Sequence, residues 1–240
     1  MPSCCCSGSH RALFVVPLLV AALIALVAAG PGRDDKAAGG TQTGGDTKKA
    51  WTDPYPLDTC PVSGETLLVG ASVTRDFDGR EFRFCCEKCV AAFESKKAEL
   101  TAKVDAEIIK RQAPLYPTDT CIVLGEKLVE EESDKPVDYV HNNRLIRFCC
   151  KPCIGKFKKD PAAFLKKLDA MVAEKQAKSY PTTTCIVSGK ALGADAHNVV
   201  MAGRLIRLCC KECEKSLRAE APKHLVALEK ATKDAAKTGR

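Results

Sequence analysis

One cysteine-bearing unit occurs three times in this chain, and this repetition constrains the fold more than any other feature of the sequence. Each copy opens with the pattern Tyr-Pro-x-x-Thr-Cys-x-Val-x-Gly, which begins at Tyr55, Tyr116 and Tyr180. Each continues to an Arg-x-x-Arg-x-Cys-Cys-x-x-Cys segment, which begins at Arg80, Arg144 and Arg204. The first cysteines of the copies are 61 and 64 residues apart, so the sequence predicts a tandem array of small units rather than one large domain.

The recurrence divides the second part of the chain into cysteine-rich repeats at residues 51–113, 114–178 and 179–240. In each repeat a turn dipeptide separates two short alternating runs, which predicts a β-hairpin. These dipeptides are Asp78-Gly79, Asn142-Asn143 and Ala202-Gly203. The second strand runs directly into the cysteine cluster, and apolar residues at helical spacing then predict a helix from about Glu87, Pro152 and Glu212. The predicted fold class is α+β, with a hairpin and a C-terminal helix in each unit.

Units of this size bury little apolar surface, and the composition makes them weaker still. Aromatic residues make up only 5% of the chain. A domain of about 60 residues is marginal without disulfides or a metal ion. We therefore expect the cysteines to supply the missing stability.

Twelve of the 15 cysteines follow one pattern, Cys-x(23 to 27)-Cys-Cys-x-x-Cys, and all twelve are candidate metal ligands. They are Cys60, Cys85, Cys86, Cys89, Cys121, Cys149, Cys150, Cys153, Cys185, Cys209, Cys210 and Cys213. Thiolates are soft ligands, which suit zinc or copper(I). The last cysteine of each cluster is placed in the first turn of the helix, where the helix dipole favours a thiolate. Zinc or copper is the expected cofactor.

Two other roles for the cysteines stay open at the level of sequence. Twelve is an even number, and outside the cytoplasm four cysteines per repeat can form two disulfides. A Cys-x-x-Cys at a helix start is also found in thiol–disulfide exchange proteins, although no βαβ pattern of the thioredoxin type surrounds it.

Each unit resembles the TRASH and YHS family of small metal-binding domains. The matching positions are Cys60, Cys85, Cys89 and Phe93, then Cys121, Cys149, Cys153 and Phe157, then Cys185, Cys209 and Cys213 with Leu217 in place of the phenylalanine. The resemblance implies a treble-clef, zinc-ribbon-like fold and the binding or sensing of heavy metals. The chain departs from the family pattern at Cys86, Cys150 and Cys210, which create vicinal pairs whose two sulfurs do not easily reach one metal ion. The resemblance therefore leaves the fourth ligand unassigned.

The beginning of the chain reads as a targeting segment followed by a tether. Residues 12–29 are an apolar run preceded by Arg11 and closed by small residues, so residues 1–29 are predicted to be a signal peptide with cleavage after Ala29. The alternative is an uncleaved N-terminal anchor, because 18 residues reach the lower limit for spanning a bilayer. Residues 30–50 are rich in Gly, Thr, Asp and Lys and predict a flexible linker. The expected location is outside the cytoplasm, periplasmic or extracellular, with or without a membrane tether through residues 12–29.

Other polar residues do not repeat in a way that predicts catalysis. We find no recurring carboxylate pair, Ser-His-Asp set or phosphate-binding glycine loop, so no enzyme is expected. His141 is expected to be exposed or packed rather than a metal ligand, and His224 to be a partly buried packing residue. The two arginines of each cluster alternate along a strand, which predicts either a solvated face or a basic surface for an acidic partner or lipid headgroups.

The sequence as a whole predicts an exported protein that binds, buffers or senses a soft metal ion through cysteine thiolates. Its expected partners are the metal ion and a metal-handling membrane or exported protein. Nucleic acid is not expected, because the net charge of +7 is neither clustered nor interleaved with aromatic residues. The alternative function is a structural adaptor whose repeats are stapled by zinc or disulfides. We further expect the repeats to behave as beads on a string.

Overall fold

The computed structural model describes residues 52–68, 70–131 and 135–237, and these carry the three repeats. The first repeat contains β1 (Val73–Phe77), β2 (Arg80–Phe84), α1 (Glu87–Ser95) and α2 (Lys97–Gln112), followed by a short 3-10 helix (Ala113–Leu115). The second contains β3 (Val137–His141), β4 (Arg144–Phe148), α3 (Pro152–Lys159) and α4 (Pro161–Ala177). The third contains β5 (His197–Met201), β6 (Arg204–Leu208), α5 (Cys213–Ala219) and α6 (Ala221–Lys237). The expected α+β class with three hairpin-and-helix units is confirmed.

The three predicted turn dipeptides each close a two-stranded antiparallel sheet. The strand pairs are joined by two residues, as the pairing of His141 with Arg144 illustrates in the second repeat. All six dipeptide residues have positive φ, including Ala202 at +49°, which is an unusual conformation for alanine. This geometry belongs to the type I′ turn, whose twist matches that of the flanking strands.

The helical part of every repeat is divided in two. Asp160 caps α4 by accepting a hydrogen bond from the Ala163 N–H at 3.1 Å, and Pro161 follows at the first helical position, as the sequence suggested. Pro222 likewise lies at the beginning of α6. In the first repeat the break falls at Lys96, where neither a proline nor a side-chain cap marks it. The short first helix carries the cysteine, and the longer second helix covers the hairpin.

Each repeat has its own small core, centred on the first helix. Phe93, Phe157 and Leu217 occupy the same position in the three copies, and each is fully buried. Phe93 packs against the rings of Phe82 and Phe84, with centroids 4.7 and 5.3 Å apart. Aromatic pairs at such distances add to the gain from burial alone. In the first repeat these aromatic residues therefore form the core behind the cysteine cluster.

The repeats are not beads on a string, because α2 and α4 each bind the hairpin of the next repeat. The Gln112 side chain at the end of α2 donates to the Asn143 carbonyl and accepts from the Leu145 N–H, both at 2.9 Å. At the corresponding point of α4, Gln176 donates to the Gly203 carbonyl at 2.9 Å and accepts from the Leu205 N–H at 2.8 Å. The same contact thus joins the first repeat to the second and the second to the third.

The third repeat also contacts the first. Arg83 donates to the main-chain carbonyls of Arg218 and Ala219 at 3.1 and 3.0 Å, which are the last two residues of α5. These carbonyls lack partners within the helix, so a buried guanidinium satisfies them. The described residues of the three repeats consequently belong to one compact unit.

The expectations for the beginning of the chain lie outside the described residues. This applies to the signal peptide or anchor at 1–29, to the linker at 30–50 and to Trp51. Among the helices that the structure describes, none has the length and apolar character needed to cross a bilayer.

Candidate metal centres

Three cysteines of each repeat come together in a triad of sulfur atoms. The triads are Cys60, Cys85 and Cys89, then Cys121, Cys149 and Cys153, then Cys185, Cys209 and Cys213. Within each triad all sulfurs lie within 4.8 Å of one another, close enough to hold one metal ion. These are the nine positions to which the family resemblance pointed.

The fourth cysteine of each repeat lies beside the triad. Cys86 Sγ is 3.8 Å from the sulfurs of both Cys85 and Cys89, and it falls outside the triad only through its distance from Cys60. Cys150 and Cys210 are placed in the same way. Both sulfurs of each vicinal pair lie within 3.9 Å of the last cysteine of the cluster. The triads that could hold one ion nevertheless leave out Cys86, Cys150 and Cys210, so their assignment as ligands stays a prediction.

The sulfur spacing fits a thiolate-bound ion. Four sulfurs around a tetrahedral zinc ion, with bonds of about 2.3 Å, lie about 3.8 Å from one another. Within the Cys-Cys-x-x-Cys clusters the observed Sγ–Sγ distances are 3.5–3.9 Å. All twelve cysteines are free thiols, whereas disulfide sulfurs lie about 2.0 Å apart. The donor set and its spacing are thus suited to a soft metal ion.

A tight turn presents the first cysteine of each triad. In the first repeat the Cys60 N–H donates to the Glu65 carbonyl at 2.8 Å, and the Gly64 N–H donates to the Cys60 carbonyl at 2.9 Å. Gly64 has φ of +74°, which glycine adopts without strain. Gly125 and Gly189 occupy the equivalent positions, with φ of +78° and +73°. The recurring glycine in the first signature is therefore required to turn the chain around the cysteine.

The other cysteines come from the junction of the hairpin and the first helix. Strand β2 ends at Phe84, Cys85 and Cys86 follow, and Cys89 lies in the first turn of α1. The Cys89 N–H donates to the Cys86 carbonyl at 3.1 Å, which closes this turn over the cluster. The buried Phe84 and Phe93 fix the strand and the helix behind it, so the sulfurs are held by the core rather than by a mobile loop.

The thiols of the three loop cysteines have lowered pKa values. Burial by itself would raise the pKa of Cys185, but hydrogen bonds from the Ser188 hydroxyl and from nearby backbone N–H groups lower it to about 6. Burial likewise opposes the change at Cys60, where hydrogen bonds, first among them those from the hydroxyl and N–H of Ser63, lower the pKa overall. The pKa of Cys121 is lowered against burial by backbone N–H groups, among them that of Cys149. Hydrogen bonds from the Cys89 N–H and from neighbouring thiols also lower the pKa of Cys86.

The cysteines at the helix starts behave differently from the prediction. Burial raises the pKa of Cys153 to about 11 and that of Cys213 to about 12, and hydrogen bonds with neighbouring thiols add to the effect. The pKa of Cys89 is raised for the same reasons. The expected effect of the helix dipole is overridden here, because burial and neighbouring sulfurs both disfavour a second negative charge.

One sulfur of each cluster faces a polar side chain that sequence reasoning did not single out. Ser63 Oγ lies 3.4 Å from Cys85 Sγ, and Ser188 Oγ lies 3.2 Å from Cys209 Sγ. In the second repeat the Cys149 thiol donates instead to Glu126 Oε2 at 3.5 Å. The sequence does indicate this difference, because the third residue after the first cysteine is serine in the first and third repeats and Leu124 in the second.

The three histidines that the structure describes are not part of the groups that could hold a metal ion. His141 packs edge-on against Phe157, with ring centroids 5.2 Å apart, and His224 is buried in the third repeat. His197 Nε2 lies 2.8 Å from Glu214 Oε2. The expectation that His141 and His224 pack rather than bind metal agrees with these positions.

Comparison with known proteins adds no relative to these observations. No protein family model matches the chain, and neither the curated proteins nor the solved structures contain a match. The functional argument therefore depends on the geometry of the three clusters.

Proposed function

We propose that this protein binds three soft metal ions, one in each repeat, and that it buffers, carries or senses zinc or copper through its cysteine thiolates. The observation that carries the proposal is the threefold convergence of sulfurs to within 4.8 Å of one another. A chain has no packing reason to collect twelve cysteines in three equivalent clusters, whereas soft-metal coordination requires that arrangement. No catalytic role is proposed.

A bound ion would connect the cysteine of the turn with the cysteines at the hairpin–helix junction. It replaces the thiol protons and bridges the sulfurs, so the cysteine of the turn becomes fixed to the beginning of the helix. The acidic thiol of the turn, such as Cys185, is the natural first contact, because it loses its proton at the lowest pH. The thiols at the hairpin–helix junction then complete the site.

Membership of the TRASH and YHS family, with its treble-clef fold, is part of the proposal. Its support is the triad positions, which are those that the resemblance assigns, and the hairpin-and-helix order of each repeat. We further propose that the protein acts outside the cytoplasm after export through residues 1–29. Its partner would be an exported or membrane protein that supplies or receives the metal ion.

The second candidate function is a structural adaptor in which zinc or disulfides staple three small cores into one scaffold. The observation that favours it is the buried contact between repeats, such as that of Gln112 with the hairpin of the second repeat. A thiol–disulfide exchange protein is a weaker third candidate.

The proposal is tested by removing one triad at a time from the full chain. Cys60→Ser, Cys121→Ser and Cys185→Ser each exchange one buried sulfur for oxygen in a different repeat. We expect three zinc equivalents in the parent protein, two in each single variant, one in each double variant and none in the triple variant. Far-ultraviolet circular dichroism checks the fold of every variant. A stoichiometry that does not follow the triads would overturn the proposal.

A chelator separates metal handling from the adaptor role. If the protein handles metal, a strong chelator removes the ions while the secondary structure persists and copper or zinc can be returned. If the ion is only a staple, metal leaves solely with unfolding, because its binding energy is then folding energy. Free thiols counted in the same samples identify the disulfide alternative.

A further inference from the structure

The three clusters differ at one equivalent sulfur, the first member of the vicinal pair. In the first and third repeats this sulfur faces a serine hydroxyl, Ser63 at 3.4 Å and Ser188 at 3.2 Å. In the second repeat it faces the carboxylate of Glu126 at 3.5 Å. The three turns share the backbone hydrogen bonds around the cysteine and the glycine with positive φ. The position of Glu126 is Glu65 in the first turn and Lys190 in the third.

The difference follows from one position in the sequence of the turn. Ser63 and Ser188 correspond to Leu124, whose side chain is 43% exposed and does not provide a hydroxyl. Glu126, two residues further on, reaches Cys149 instead. The first repeat also has a glutamate at this place, Glu65, but there the Ser63 hydroxyl lies against the sulfur. A glutamate at this position is therefore not enough to place a carboxylate beside the sulfur. The carboxylate lies there only in the second repeat, where leucine replaces the serine.

The two neighbours have opposite chemical properties. A serine hydroxyl is neutral and donates a hydrogen bond to a thiolate, which leaves an all-sulfur ligand set. A carboxylate is negatively charged and offers a hard oxygen ligand, which zinc accepts at about 2.0–2.2 Å. Soft monovalent copper prefers thiolate and thioether sulfur to carboxylate oxygen. An added carboxylate thus favours a divalent ion of intermediate softness.

We propose that the chain carries two kinds of metal site, with all-sulfur sites in the first and third repeats and a mixed sulfur–oxygen site in the second, where Glu126 is a ligand that favours zinc over copper(I). This inference rests on the proposed function, since it assigns metals to the same clusters. It predicts a protein that holds zinc in the middle repeat while the outer repeats exchange zinc for copper(I).

The test uses the full chain loaded with three zinc ions and titrated anaerobically with copper(I), while released zinc is measured with a coloured chelator. We expect two zinc ions to leave together and the third to need about a 10- to 100-fold higher free copper(I) concentration, the range that ligand-shell changes produce. In Glu126→Gln all three ions should leave together. Glu126 is exposed, so this variant is expected to keep its fold.

Glu65→Gln is the matched control, because it makes the same change at the same place of the first turn. It should retain two early zinc ions and one late ion. The double variant Leu124→Ser/Glu126→Gln, which gives the second turn the serine of the others, should behave like Glu126→Gln. The inference is overturned if the parent protein releases three ions together, or if Glu126→Gln leaves the late ion in place. Binding of no zinc at all would instead contradict the proposed function.

Discussion

Asp53 and Arg144 form an ion pair that is buried between repeats. Asp53 Oδ2 lies 3.2 Å from Arg144 Nη1, and the two side chains are 1% and 4% exposed. The same carboxylate oxygen accepts the Ala202 N–H of the third repeat at 2.8 Å. A single residue of the first repeat thus contacts both of the others. The three repeats are held around one shared polar centre.

Asp53→Asn should weaken the whole array rather than one repeat. The change removes one charge of a buried ion pair, but Arg144 keeps its second partner, Asp169. The cost therefore comes mainly from weakened hydrogen bonds to Arg144 and to the Ala202 N–H, and is about 1–3 kcal/mol. We expect the free energy of unfolding to fall by this amount in a single transition, measured by denaturant titration and circular dichroism. Asp195→Asn, at an exposed position, is the control and should change stability by less than about 0.5 kcal/mol. Separate transitions for the repeats would contradict the shared centre.

Gln112 and Gln176 provide a matched pair of contacts between successive repeats. Gln112→Leu leaves a buried carbonyl and N–H without partners, so it should cost about 2–3 kcal/mol. Gln176→Leu should cost about 1–2 kcal/mol, because Gln176 is only half-buried. Hydrogen exchange measures both effects at single residues. The Leu145 amide should lose protection in the first variant and the Leu205 amide in the second, and equal loss at both amides in both variants would contradict this assignment.

His141 should make the stability of the protein dependent on pH. Its pKa is lowered by burial and by the nearby charge of Lys158, so below about pH 6.5, its ordinary value, the unfolded chain binds more protons than the folded chain. Stability therefore falls as the pH drops through this window. His141→Phe installs the residue found at the equivalent Phe77 and removes this contribution. Denaturant titrations of equally metal-loaded samples measure the stability of the variant relative to the parent. This relative stability should rise as the pH is lowered from 7.5 to 5. A difference that does not change with pH would show that His141 does not titrate in this way.

The local features of the fold could be predicted from the sequence. Turn dipeptides and the helix starts at Glu87 and Pro152 depend on neighbouring residues alone, and the structure places them as expected. The cysteine clusters were also predictable, because the repeat fixes which cysteines are equivalent. The distances from the vicinal sulfurs to the last cysteine were not, since they depend on the angle between strand and helix.

The contacts between repeats could not be predicted from the pattern of one repeat. The sequence suggested that the arginines of each cluster lie on a solvated strand face. Three of them, Arg80 and Arg83 on β2 and Arg144 on β4, are nevertheless buried. Their partners come from distant parts of the chain. Asn143 shows the same limit, because it resembles a turn residue but is fully buried, where it accepts from Arg80 Nε at 2.7 Å and donates to the Glu81 carbonyl at 2.9 Å. Tertiary packing gives these residues roles that their local pattern does not reveal.

Native mass spectrometry of the full chain, purified under reducing conditions and supplied with zinc, tests the central claim most directly. We expect one dominant species with three bound ions, and alkylation after unfolding should label all twelve cysteines of the repeats. The account would be contradicted by a folded chain that binds no metal and whose repeat cysteines are joined in disulfides.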